Sequence, residues 1–185
     1  LRWWLLAGML FSLILSWGKN ADGITRFFVE YVPLYNKFRA VTSIQVLLEL
    51  LLPIAAIIGL HRFFNDRVAA SERTKKLFIA IGTVAGLLVI LYLFSGSLFN
   101  LRSTAEAQMA LQQPEILDAI KEDRLTILKS DVLRSLLFVL MIGVVLWLCI
   151  KEKFSQNLTI ITIGALIVFD LVGVDRRSVN EENFI

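Results

Sequence analysis

The sequence predicts an all-α fold: a polytopic transmembrane helix bundle of about five spans, with interfacial amphipathic helices on its outer side. Three observations carry that reading. Hydrophobic residues make up 57% of the 185 positions and charged residues 19%, where soluble domains run about 45–50% and about 25%. Five segments approach the roughly 20 mostly apolar residues needed to cross a hydrocarbon core. Each is apolar all round rather than along one stripe, which in a chain this small means contact with lipid. The same composition excludes a disordered chain and a disulfide-stapled secreted domain, Cys149 being the one cysteine. The strict alternation over about ten residues that marks a membrane β-strand is absent.

The first span is read at 1–17. Arg2 ahead of an apolar run imitates a secretory signal, but Ser16, Trp17 and Gly18 do not form a small-x-small cleavage site. Because the apolar run starts at once, the chain is expected to be part of a longer one, with further sequence on both sides. The connection 18–40 is punctuated by Gly18, Gly23 and Pro33. Between them Ile24, Phe27, Phe28 and Tyr31 recur at helical spacing and predict a short helix lying in the membrane interface.

The second and third spans are read at 41–60 and 77–99. The connection 100–130 reads as two helices, with Pro114 in the first turn of the second and Glu115 at its positive dipole end. Ile116, Ile120, Ile127 and Leu128 give that helix an apolar stripe, opposite Asp118, Lys121, Glu122, Asp123 and Arg124. It is expected to lie on the membrane surface. A fourth span at 132–150, a tight turn at 151–156 and a fifth span at 158–174 complete a membrane region over 1–174. The remainder, 175–185, reads as the start of an extracytoplasmic segment.

Basic residues orient the bundle. Arg2, the connection 61–76 and the turn 151–156 together hold eight basic and three acidic groups, while the opposite side is balanced. The basic side is therefore expected to be cytoplasmic. This gives a multi-pass membrane protein with its N-terminal end inside and its C-terminal end periplasmic or extracellular. The net charge of +3 is thus a topology signal, and no nucleic-acid partner is expected.

Few groups can carry chemistry. With one histidine, His61, and one cysteine, a His/Cys metal cluster is excluded, and no metal is expected. No phosphate-binding glycine loop or dinucleotide fingerprint is present. Glu49 lies in the second span, where a carboxylate must be neutral, paired or facing water. Gln45 precedes it by one turn, and Pro53, one turn later, cannot donate to its carbonyl. These three form a polar stripe expected to face the bundle interior, as a hydrogen-bonded kink or as part of a ligand cavity. Asp170 lies about one turn from the outer end of the last span, where it is expected to reach the interface.

The strongest cluster is basic. Lys19, Lys37 and Arg39 fall at the outer water–lipid boundary with Asn20, Tyr35 and Asn36 among them. They can anchor the chain to anionic lipids or, with Arg39 bidentate, hold a lipid-linked phosphate. Asp131 and Arg134, three apart at the outer end of the fourth span, can pair with each other or orient that site.

Several strings resemble the YfhO family of bacterial membrane proteins, in its long Bacteroidetes-type form. They are Leu15-Ser16-Trp17-Gly18-Lys19-Asn20, then Phe27-Phe28, then Tyr31-Val32-Pro33-Leu34-Tyr35-Asn36-Lys37-Phe38-Arg39-Ala40-Val41. Asp123-Arg124, Asp131-Val132-Leu133-Arg134-Ser135 and the junction 174–180 resemble that family too. The likeness extends over the whole chain but covers only the later part of the membrane region of such a protein. It implies a GT-C-type glycosyltransferase that takes a sugar from a polyprenyl-phosphate carrier and transfers it to a cell-envelope acceptor. Membrane lipids and the lipid-linked sugar are then the partners. The catalytic acid of such enzymes lies in a part of the family with no counterpart here, so no catalytic residue is carried over. Supporting roles are expected for Asn36, Glu49, Asp131 and Arg134. The competing readings are a transporter or flippase fragment, with Gln45, Glu49 and Pro53 along a pathway, and a non-catalytic membrane scaffold.

Overall fold

A computed structural model describes residues 2–17, 22–33, 41–65, 68–98 and 114–178. Six α-helices are present among them: α1 (Arg2–Ser16), α2 (Asp22–Tyr31), α3 (Gln45–Asn65), α4 (Ala70–Leu98), α5 (Pro114–Ile150) and α6 (Gln156–Ser178). A 3-10 turn at Val41–Ile44 leads into α3. The all-α expectation therefore holds across the described residues. Four helices, α3 to α6, are long and apolar enough to cross a membrane. The fifth expected span, α1, is apolar but has only 15 residues, about 22 Å against a core of about 30 Å.

The chain divides into two compact units, Leu1–Arg67 and Val68–Ile185. In the first, α1 packs antiparallel to α3. Gly8 admits Leu51 so closely that a Cβ there would lie 2.8 Å from its Cδ1. Small residues at such crossings let helix backbones approach where lipid supplies no hydrophobic drive. The buried Ser12 hydroxyl donates to the Ile44 carbonyl at 2.6 Å, at the junction between the 3-10 turn and α3. At the other end of α3 the Asn65 side-chain amide donates to the His61 carbonyl at 2.9 Å. The expected short helix appears as α2. Its Phe28 ring meets Phe11 of α1 edge-on at 5.8 Å, and Phe27 and Tyr31 stack beside it.

In the second unit α4 runs antiparallel to α5. The register is marked by Gly96 beside Leu125, Lys129 above the Tyr92 ring, and Ile81 against Gly143, where an added Cβ would clash. The expected surface helix from Pro114 is not a separate element. It runs without a break into the fourth span as one 37-residue helix, about 55 Å long. No proline or glycine lies between Glu115 and Met141 to interrupt it, and Leu117, Val132 and Val145 are buried along its length. At most about 30 Å of that length fits in hydrocarbon; the charged first half extends the axis of the span.

The α5–α6 connection is closed by local hydrogen bonds. The Lys153 amide donates to the Leu148 carbonyl and the Glu152 amide to the Cys149 carbonyl, both at 3.0 Å, the two bonds of a Schellman cap. Glu152 takes the left-handed conformation the cap requires, at φ 58°. Ser155 then caps α6, its Oγ accepting from the Leu158 amide at 3.3 Å. Replacing Ser155 with alanine should lower stability by about 1 kcal/mol. Replacing Glu152 with glycine should raise it by up to about 1 kcal/mol by relieving the left-handed strain. Reversible unfolding of each variant in mixed micelles reads both signs.

Candidate functional site

The described residues bring together one charged cluster inside the helix packing. Arg134 on α5 reaches across to α6, where its Nη2 lies 2.7 Å from Asp170 Oδ1 and also donates to the Asp170 backbone carbonyl. Gly173, one turn further, has no side chain to obstruct the guanidinium: a Cβ there would stand 3.3 Å from Nη2. On the other flank the guanidinium sits 5.9 Å from the centroid of Phe138, which in turn faces Phe169. The arginine side chain is 19% exposed and the aspartate 40%.

Arg134 was expected to pair with Asp131 on its own helix or to orient the basic site; across the helix pair it engages Asp170 at ion-pair distance. Asp131 is half-buried one turn away. The Arg134–Asp170 pairing follows from the tight turn, because residues equally far from it in a hairpin of helices stand at the same level. Sixteen residues separate Arg134 from Ile150, about 24 Å of helix, which brings the pair close to the far edge of a core about 30 Å thick. Lys129 lies higher on α5, its Nζ 5.7 Å from the Tyr92 centroid, a cation over an aromatic face at the depth where such rings favour the interface. The sequence reading missed the Lys129–Tyr92 contact, since it depends on the register between α4 and α5.

Beside Arg134 an apolar groove of about 550 Å³ opens between α5 and α6, lined by Leu133, Leu137, Leu140, Met141, Val144 and Leu166 among others. A groove of this kind on a membrane helix pair accommodates a hydrocarbon chain. Among the described residues no three His, Cys, Asp or Glu side chains converge as a metal site would require.

The polar stripe of α3 does not pack on α1. Gln45, Glu49 and Pro53 are all exposed. The face of α3 turned to α1 carries Leu51, Ala55, Ile58 and Gly59 instead. Glu49 also stands only about one turn inside α3, since the α-helix begins at Gln45.

Lys19, Asn36, Lys37 and Arg39 lie outside the described residues. The elements that flank the stretch 34–40 are described, and both are held on the second half of α1: α2 through Phe28 and Phe11, and the 3-10 turn through Ile44 and Ser12.

No family model, curated protein or solved structure matches the chain.

The Arg134–Asp170 pair can be tested by a double-mutant cycle. Arg134→Leu or Asp170→Leu alone should cost about 2 kcal/mol, less than the about 3–5 of a fully buried pair because Asp170 is part-exposed. The double variant should recover most of that loss, leaving a coupling energy of at least about 1 kcal/mol in micelle unfolding.

Proposed function

We propose that this chain is a membrane-embedded part of a glycosyltransferase that draws its sugar from a polyprenyl-phosphate carrier and modifies a cell-envelope polymer or lipid. The observation that carries the proposal is the tethering of both flanks of 34–40 to one region of α1. That stretch holds Lys37 and Arg39 within the string that most resembles the YfhO family. Two elements docked on one helix give such a stretch fixed ends, which favours a binding role over a free linker.

In the reaction proposed, an acceptor hydroxyl oxygen attacks the anomeric carbon and loses its proton. The bond from that carbon to the carrier phosphate breaks, and the phosphate keeps the electron pair. Lys37 and Arg39, with Lys19, would stabilise the charge that grows on the departing phosphate. The protein is proposed to reside in the bacterial inner membrane, with the 151–155 turn on the cytoplasmic side.

Binding of polyprenyl phosphate to the purified chain tests the assignment. Arg39→Ala should weaken binding by about tenfold or more, the loss of a charge-assisted hydrogen-bonded pair, while Arg39→Lys should keep part of it. Unchanged affinity in Arg39→Ala would refute the assignment. Sugar transfer by the natural polypeptide, lost in the same variant, would establish the activity.

A further inference from the structure

The antiparallel register of α4 and α5 gathers cations at one end of the second unit. Ile81 stands against Gly143, so eight residues further on, Arg73 of α4 and Lys151 after α5 reach the same level, each about 12 Å along its helix. Lys75 and Lys76 belong to that end of α4, and Lys153 follows Lys151 in the turn. Five basic residues therefore share this end with two acidic ones, Glu72 and Glu152. Glu72 is bonded to Lys76 at 2.8 Å. Among the described residues no carboxylate forms an ion pair with Lys75, Lys151 or Lys153, and all three are exposed.

The helices themselves do little to favour most of these charges. Arg73, Lys75 and Lys76 fall in the first two turns of α4, and Lys153 just before α6, where the positive end of the helix dipole repels cations. Lys151 alone follows a helix C-terminus, and its Nζ lies 5.9 Å from the centroid of Trp147. A tryptophan under a lysine at the end of an apolar helix marks the headgroup level of a bilayer. The cations are spread around the end of a helix bundle rather than folded over a pocket, a layout suited to a lipid surface.

We propose that this end of the second unit is a binding surface for anionic phospholipids, with Lys75, Lys151 and Lys153 on headgroup phosphates and Trp147 at the glycerol level. The proposal is independent of the glycosyltransferase reading.

Native mass spectrometry of the full chain, released from micelles with equal amounts of phosphatidylglycerol and phosphatidylcholine, provides the test. Phosphatidylglycerol should be retained in preference, and the preference should collapse at high ionic strength, as screening requires. Lys151→Gln with Lys153→Gln should reduce the preference by roughly fivefold for each lysine removed, whereas Lys151→Arg with Lys153→Arg should preserve it. If the glutamine pair fails to fold, Lys75→Gln on the other helix makes the same measurement. Equal retention of the two lipids by the native chain would overturn the proposal. So would a preference that survives loss of these lysines but falls in Lys129→Gln, 21 residues along α5 from Ile150.

Discussion

Everything in this structure depends on one constraint: a chain passing through hydrocarbon must satisfy its backbone hydrogen bonds within itself. Apolar stretches such as those within α3 to α6 have no stable form in lipid other than helix or closed barrel. The same constraint governs their ends. At the α5–α6 turn the Leu148 and Cys149 carbonyls are taken up by the amides of Lys153 and Glu152, and Ser155 takes up an amide of α6. A five-residue connection thus leaves few polar groups unmet, which lets two long helices reverse direction at a membrane surface.

Once the helices exist, lipid offers them little reason to associate, because it is as apolar as their side chains. The contacts that hold them are accordingly close approaches and polar exceptions. Gly8 and Gly143 admit Leu51 and Ile81; Ser12 reaches the Ile44 carbonyl, and Arg134 reaches Asp170. The ion pair, midway along α5 and towards the far end of α6, and the basic, tryptophan-bearing end near their turn give the hairpin two polar limits. Between them lies the apolar groove. The proposed lipid-phosphate chemistry draws on the first unit, where α2 and the 3-10 turn are both docked on α1. The proposed anionic-lipid surface draws on the second.

Much of the fold was legible in the sequence because hydropathy reads the solvent directly. The four long helices, the α2 helix from its Phe27, Phe28 and Tyr31 spacing, and the tight turn after Ile150 follow from composition and periodicity. Continuity was harder. The polar run around Lys129, Ser130 and Asp131 resembles a boundary between a surface helix and a span, yet those residues carry no helix breaker and α5 runs through them. Partners were harder still. Arg134 has an acceptor three residues away on its own helix, and only the hairpin register shows that Asp170 stands opposite. Glu49 was assigned inward because a carboxylate is costly in lipid, but the α3 face that meets α1 is set by small and apolar residues. Lys19, Lys37 and Arg39 rest on sequence reasoning and lie outside the described residues.

The most direct test of the account is the sidedness of α5. In a Cys149→Ser background, single cysteines at Asp118 and at Ser155 would be probed with a membrane-impermeant maleimide in intact bacterial cells made permeable to it across the outer envelope only. The account predicts that the cysteine at 118 is labelled at once and the cysteine at 155 only after the inner membrane is opened. Labelling of both before opening, or of neither, would contradict a helix that crosses the membrane between them.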